Sequence, residues 1–277
     1  MLLALSLAMV ADALANHLLA ALYAQPSDDA RESLRVATGV SLEQYAVLGN
    51  LMTLTYVPAA LFGGHLSDAR LPRRAVVVGG ACATAFAAAS YAACTSFVGL
   101  AAAQLLLGLG GGALKPVAAA EISRACDVRA AALAQSLFIF GNKIGGSVSS
   151  LLVFAVRAAG WRLAALGVGA LNAATAVFVY RAMAAAPPRA DAALSTTADR
   201  GGGEPLLRTL RELLREPAFV AVALAAACNA MSGYTTGAFM SLYFARAFSA
   251  AQFDLYALAH ATAGTALSAA ATLAGGQ

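Results

Sequence analysis

Gly63-Gly64-His65-Leu66-Ser67-Asp68-Ala69-Arg70-Leu71-Pro72-Arg73-Arg74 joins two long apolar segments of the chain. Two spanning helices joined by so short a connection must lie side by side and antiparallel. The stretch is predicted as a charged, glycine-led loop. Its glycines let the first helix end close against a neighbour. Asp68 is placed to cap the next helix or to pair with a basic group. Arg70, Arg73 and Arg74 crowd one membrane face and mark it as cytoplasmic.

Outward from this stretch, composition sets the solvent. Of 277 residues, 60% are hydrophobic and 12% charged, and mean hydropathy is +0.73. A soluble domain of this length has no use for so much apolar surface. The net charge of +4 is accounted for by loop arginines and does not imply nucleic acid. Cys82, Cys94, Cys126 and Cys228 are scattered without a C-x-x-C pair, so neither a disulfide frame nor a metal site is signalled.

Eight apolar segments long enough to span about 30 Å of hydrocarbon are predicted. They run over Met1–Leu22, Tyr45–Leu66, Ala75–Ala93, Phe97–Ala120, Ala130–Val156, Trp161–Met183, Pro217–Phe244 and Phe253–Gly276. In the first, Ala13-Leu14-Ala15 mimics a signal-peptide cleavage site. The start carries no Lys or Arg, however, and the apolar run continues to Tyr23, so a spanning helix is the reading adopted. The polar stretch Gln25–Glu43 reads as an exposed loop with room for a short helix, and Glu121–Arg129 as a charged loop. Trp161 is placed as an interfacial anchor. Pro187–Pro205 reads as an unstructured linker. Leu206, Leu207, Leu210, Leu213 and Leu214 then share a helical face opposite Arg208, Arg211 and Arg215, as in a helix lying on a membrane surface.

With the amino terminus inside, the cytoplasmic side receives Arg70, Arg73, Arg74, Arg124, Arg129, Arg181, Arg189, Arg200, Arg208, Arg211 and Arg215. The opposite side receives Arg31, Arg35, Arg157, Arg162 and Arg246. Eleven against five is the bias of the positive-inside rule. No organelle-targeting motif is read.

The organising stretch resembles the loop between helices 2 and 3 of the major facilitator superfamily, G-x-L-x-D-R-x-G-R-R/K. Gly64, Leu66, Asp68, Arg73 and Arg74 match; Ala69 replaces the first arginine, and one extra residue precedes the Arg-Arg pair. A weak internal repeat, Ala60–His65 against Thr272–Gln277, ends the second and eighth segments on a Gly-Gly pair. The resemblance implies an all-α polytopic membrane protein. It comprises a six-helix bundle over residues 1–183, a cytoplasmic linker with an amphipathic helix over 184–216, and the first two helices of a second half over 217–277. By that comparison helices 9 to 12 are missing and the chain is truncated after helix 8.

Polar groups inside spans carry the functional signal, because each must find a partner or water. Asp12 lies about 17 Å along the first segment at 1.5 Å per residue. Asn16 follows one turn on, on the same face, with His17 adjacent. A carboxylate in a half-wet cavity can carry a proton. In the fourth segment Gln104 and Lys115 share a face, with Gly108 between them. Gln104–Gly110 resembles the superfamily's R-x-x-x-G-x-G, with Gln104 in place of the arginine. Gly110–Pro116 is similar to the G-T-G-G-I-K-P run of proton-coupled peptide transporters, although their E-x-x-E-R motif is absent. Asp12 also matches the helix 1 aspartate of spinster-like lipid transporters, whose helix 4 glutamate is not matched. Lys115 can alternatively snorkel to the cytoplasmic end. Lys143 sits midway along the fifth segment, where a lysine costs on the order of 2.5–3.5 kcal/mol unless compensated. Tyr234 lies in a polar, small-residue stretch of the seventh segment, and His260 of the eighth reads as a spectator.

Enzyme readings fail on these residues. Gly145-Gly146-Ser147-Val148-Ser149 lacks the last glycine of G-x-S-x-G, and no H-E-x-x-H, phosphate loop or dinucleotide fingerprint implies a cofactor. The resemblance instead implies secondary active transport of a small organic solute by alternating access, coupled to a proton, with the bilayer and the solute as partners. Asp12, Asn16, Gln104, Lys115, Lys143 and Tyr234 are the expected coupling and binding residues, with Asp12 and Lys143 expected to meet. Gly64, Asp68, Arg70, Arg73 and Arg74 are the expected cytoplasmic gating motif. The alternative is a non-transporting fragment or pseudo-transporter that packs with other membrane proteins.

Single cysteines test the topology. Arg73→Cys and Arg200→Cys are expected to be labelled from the cytoplasmic side and Arg31→Cys from the opposite side. Labelling of Arg31→Cys and Arg200→Cys from one side would exclude the eight-helix arrangement.

Overall fold

The computed structural model describes residues 1–25, 29, 31, 33–69, 71–185 and 206–275. Among the described residues every regular element is a helix: α1 (Leu2–Tyr23), α2 (Leu34–Thr38), α3 (Leu42–Ala69), α4 (Arg73–Ser90), α5 (Phe97–Ala125), α6 (Val128–Val148), α7 (Leu152–Ala159), α8 (Trp161–Ala184), α9 (Leu206–Leu213), α10 (Pro217–Ala247) and α11 (Ala250–Gly275), with single 3₁₀ turns at Tyr91–Ala93 and Ser149–Leu151. Six stretches of the described residues are long and apolar enough to cross a membrane: Leu2–Tyr23, Leu42–Asp68, Arg73–Ala93, Phe97–Ala125, Ala130–Ala159 and Trp161–Ala184. They coincide with the first six expected segments. α10 and α11 occupy the seventh and eighth and run 31 and 26 residues.

The outside of the protein is apolar and its interior polar in places, the reverse of a soluble fold. Val98 is 74% exposed and Phe86 68%, whereas Asp12 is 1% exposed and Gln104 2%. Lipid tails accept the former and cannot solvate the latter.

Three expectations are corrected by the helix ends. The organising stretch is not a glycine-led loop, because α3 continues through Gly63, Gly64 and Asp68 to Ala69. The turn that remains is closed by Leu71 N–H donating to the Leu66 carbonyl at 2.8 Å. The charged loop expected over Glu121–Arg129 shrinks to Cys126–Asp127, since α5 runs to Ala125 and α6 begins at Val128. The expected fifth helix is interrupted at Ser149–Leu151. There Ser149 and Ser150 hydroxyls donate back to the carbonyls of Gly146 and Ser147 at 2.6 and 2.8 Å and tighten the turn. Trp161, placed from sequence as an interfacial anchor, packs inside the larger apolar cluster at 1% exposure, with the Arg162 guanidinium 4.9 Å over its ring. The linker expected at 187–205 lies outside the described residues.

Helix packing runs through glycine. α5 lies between α3 and α4, and α1 lies against α6 and α8. Gly108 and Gly112, one turn apart, face the Met52 and Tyr56 carbonyls of α3, with no room for a Cβ at either. Gly141 and Gly145 face the Ser6 and Val10 carbonyls of α1 in the same way. A Cβ on Gly80 would lie 2.7 Å from the Gly110 carbonyl, joining α4 to α5. This is the small-xxx-small pattern that lets helix backbones touch where no hydrophobic force separates protein from solvent. Interhelical hydrogen bonds supplement it: the Thr55 hydroxyl donates to the Leu105 carbonyl at 2.8 Å, and the Asn172 amide donates to the Ala11 carbonyl at 3.0 Å.

Two apolar clusters result. One gathers Leu5, Met9, Val77, Leu114 and Phe138; the other gathers Leu14, Leu18, Leu48, Leu107 and Trp161. Asp12 falls on α1 between them, and the glycine run Gly108–Gly112 falls on α5 between them. α11 docks on α6 and α7: Gly264 meets the Ser147 side chain, the Ser150 hydroxyl donates to the Ala257 carbonyl at 2.8 Å, and Arg157 grips Asp254 through hydrogen bonds of 2.6 and 2.8 Å.

Alanine substitution separates packing glycines from idle ones. Gly108→Ala is expected to destabilise the bundle by about 1–3 kcal/mol through overpacking. Gly79→Ala, where a Cβ meets nothing within 4 Å, is expected to be neutral or to stabilise by up to about 1 kcal/mol. Thermal unfolding in detergent reads both; equal effects would refute the glycine contact.

Candidate functional site

The site is built on the middle of α1. Asp12 is buried between the two apolar clusters, with three close neighbours. The Lys115 ammonium on α5 lies 2.9 Å from its Oδ2. The Asn16 amide, one turn on along α1, donates to the same oxygen at 2.8 Å. The third neighbour is Gly111, where an added Cβ would lie 2.9 Å from Oδ1. That missing side chain is what lets a carboxylate sit against α5. Oδ1 itself is buried without a hydrogen-bond partner among the described residues. Lys115 also lies 5.2 Å from the centre of the Tyr56 ring, a cation–π contact that holds its stem across α3. Pro116 follows Lys115 and cannot donate to the Gly112 carbonyl, which loosens the turn that carries the lysine.

The ion pair expected between Asp12 and Lys143 is therefore corrected to Asp12 and Lys115. The reason is helical phase. Gly141 and Gly145 of α6 lie against the α1 backbone, and Gly146 lies against His17; Lys143 is two residues from both Gly141 and Gly145 and projects away from that backbone contact. It is exposed and stands one turn before Ser147, the residue that meets Gly264 of α11. Lys143 still acts on the site at longer range. His17 lies within electrostatic range of Lys115, His260, Asp12 and Lys143. His260, read from sequence as a spectator, thus belongs to the same field and lies 5.7 Å from the Tyr256 ring.

A cavity of about 160 Å³ opens beside this cluster. α1 contributes Asn16 and His17, α3 contributes Tyr45, Asn50 and Thr53, α5 contributes Gln104, and α10 contributes Phe239. Tyr45 is stacked on Tyr23 at 4.4 Å and meets Phe239 edge-on at 6.1 Å. The Gln104 carbonyl oxygen is buried without a partner among the described residues. Such an unmade hydrogen bond costs on the order of 1–3 kcal/mol.

Of the residues expected from sequence, Asp12, Asn16 and Lys115 are in direct contact, Gln104 shares the cavity with Asn16, and Lys143 stands apart. Tyr234 falls within α10, and its side chain lies outside the described residues. Sequence reasoning missed Tyr45, Asn50, Thr53, Phe239 and the steric role of Gly111. The signal for Asn50 and Thr53 was their polarity inside a span; Tyr45 and Phe239 carried none.

At the charged end of α3, Asp68 pairs with Arg73 at 2.7 Å, and Arg73 reaches toward Glu121 of α5 at 3.9 Å. Arg74 lies 4.8 Å over the Tyr180 ring of α8. The arrangement ties α3, α4, α5 and α8 together. Close packing falls to Gly63, whose Cβ would lie 2.9 Å from Ala113 Cα, while Gly64 meets nothing within 4 Å. Arg70 lies outside the described residues.

The fold has solved counterparts. A crystal structure described as a bacterial homolog to the human lysosomal transporter Spinster, in inward-facing and unoccupied conformation, superposes with a TM-score of 0.68 at 19% sequence identity. The match covers 98% of this chain and 60% of that one, so the chain spans about three fifths of the length of the protein it resembles. No curated protein sequence matches it. The sequence description of the Major Facilitator Superfamily matches residues 1–277, and the chain belongs to that superfamily.

Proposed function

We propose that the protein moves a small organic solute across a membrane by alternating access, coupled to a proton at Asp12. The chain contributes a six-helix unit (residues 1–183), a cytoplasmic linker (184–216) and the opening helices of a second unit (217–277), with its amino terminus in the cytoplasm. The Asp12–Lys115 pair carries the reading. An ion pair this deep is expensive to build, because desolvation consumes most of the attraction between the charges. Ionisable groups inside membrane spans are the usual parts of ion and proton pathways.

The geometry supports a defined exchange. Asp12 Oδ2 is committed to Lys115 and Asn16, which leaves Oδ1 as the atom to take a proton. Protonation removes the negative charge and ends the attraction that holds Lys115. The ammonium then needs another anion, and an anionic group of the solute in the adjoining cavity supplies it. Lys143 adds positive charge to the same field. Loss of the proton restores the Asp12–Lys115 pair and expels the solute's anionic group. Binding of proton and anion are thereby linked with the same sign.

Two variants of the full-length protein test this. Asp12→Asn in proteoliposomes is expected to abolish the pH dependence of uptake, and Lys115→Ala to destabilise the fold by about 3–5 kcal/mol, because it leaves a buried carboxylate unpaired. The double variant Asp12→Asn with Lys115→Gln is expected to recover most of that stability and none of the pH dependence. Retention of pH-dependent uptake in Asp12→Asn would remove Asp12 from the coupling step.

A further inference from the structure

The described contacts between the first six spans and the pair α10–α11 gather toward one end of the bundle. Among the described residues the buried ones of that pair are Leu242, Phe253, Ala257 and Ala261, all near the turn that joins the two helices. Phe253 packs on Ala24, at the end of α1, and on Val153 of α7. Beside it the Phe244 and Tyr256 rings stack at 4.0 Å and close α10 onto α11. Arg157 completes the patch: its Nη1 donates to both oxygens of Asp254 at 2.6 and 2.8 Å, and both side chains are half-buried. At the other end, where Asp68, Arg73 and Glu121 meet, the apolar cluster of Leu5, Val77, Ile122 and Val179 takes in no described residue of α10 or α11. Val222 and Leu224, in the first half of α10, are 69% and 62% exposed.

The cavity adjoins this closed end. Of its lining residues Tyr45 lies nearest the start of α3, where it stacks on Tyr23 in the last turn of α1 and meets Phe239 of α10 edge-on. We propose that the Arg157–Asp254 pair is the latch of a gate that shuts the cavity off from the membrane face opposite the Arg73 cluster, with Tyr45 and Phe239 as the gate's inner leaf. The proposal rests on the alternating-access reading above and adds the device that closes one end of the path. An ion pair does here what apolar packing cannot. Leucine against lipid is worth about as much as leucine against leucine, so apolar surface alone holds two spans together weakly. A charged pair favours the closed state. Its position also lets it open: Arg157 is in the last turn of α7 and Asp254 is close to the start of α11. Both charges can pass to water when they part, and neither is stranded in hydrocarbon. Asp12 and Lys115, in the middle of the bundle, have no such exit.

The test reads access to the cavity in the full-length protein, in sealed membrane vesicles of either orientation, with the four native cysteines replaced by alanine. Ala20→Cys, on the α1 wall of the cavity, is labelled with a membrane-impermeant thiol reagent. With the latch intact, labelling is expected to be fast from the Arg73 side and slow from the opposite side. Arg157→Gln and Asp254→Asn are each expected to raise the rate from the opposite side by at least about tenfold, by shifting the population toward the open state. The exchanged pair, Arg157→Asp with Asp254→Arg, is expected to restore the slow rate. An unchanged rate in the single variants, a rate that the exchanged pair leaves raised, or fast labelling from the opposite side with the latch intact would each overturn the gate. Should a single variant fail to fold because it leaves one charge unpaired, the neutral double variant Arg157→Gln with Asp254→Asn reads the same rate, and no increase in it overturns the gate. Labelling needs neither solute nor proton gradient, so the coupling reading fails separately. Labelling that follows the latch, with pH-dependent uptake surviving Asp12→Asn, would keep the gate and discard proton coupling at Asp12.

Discussion

A charge in a membrane span has to be answered from within the protein, and Asp12 shows how much of the bundle that requirement organises. Its carboxylate needs a cation, and Lys115 supplies one from a different helix. The lysine reaches it only because Gly111 has no side chain. Asn16 fills one more valence from the same helix. Together these residues fix the register of α1 against α5 where the two apolar clusters leave a gap. The clusters could tolerate sliding of one helix along another, since Leu against Leu is much the same one turn away. An ion pair at 2.9 Å cannot.

The glycines serve the same end. Lipid tails are as apolar as leucine, so burial gives helices in a membrane little reason to associate, and backbone contact has to replace it. α5 uses one run for two purposes. Gly108 and Gly112 lie against α3, Gly110 against α4, and Gly111 against the Asp12 carboxylate. α3, α4 and the Asp12 carboxylate of α1 are thus met by different glycines of a five-residue stretch. The dense packing of this region and its one buried ion pair are consequences of the same sequence feature.

Much of this was legible in the sequence. Spans are read from sustained hydropathy, which is strong and local, so the first six appear where expected. Helix ends are less legible. Gly63-Gly64 reads as a break, yet the helix passes through it, because a backbone in lipid keeps its internal hydrogen bonds even where propensity is poor. Asp12, Asn16, Gln104 and Lys115 stood out as polar residues in apolar runs. Their pairing did not, because it depends on which face of α6 meets α1. Gly141 and Gly145, spaced four apart, held that answer: they mark the contact face and place Lys143 on the other side. Phe239 of α10 gave no signal, since its contact with Tyr45 joins residues distant in sequence through packing alone.

The ionic contacts also divide by strength in a way that suits movement. Asp12–Lys115 lies within α1–α8 and is buried. Arg157–Asp254 joins α7 to α11, and its side chains are 28% and 32% exposed. Breaking a buried pair costs about 3–5 kcal/mol and an exposed one about 0–1 kcal/mol, and the half-buried Arg157–Asp254 pair falls between these limits. Movement of α10 and α11 against the first six spans would act on the Arg157–Asp254 pair and leave Asp12–Lys115 in place. Other contacts across that boundary include Ser150 to Ala257, Tyr45 to Phe239 and Ser147 to Gly264, together with the buried packing of Phe253 on Ala24 and Val153 and of Leu242 in the larger apolar cluster. None is an interlocked glycine–backbone seam like those that join α5 to α3 or α6 to α1. Buried apolar contacts and a half-buried ion pair hold α10 and α11 to the first six spans, whereas the Asp12–Lys115 pair lies wholly within α1–α8, so the charges at the centre do not depend on that boundary.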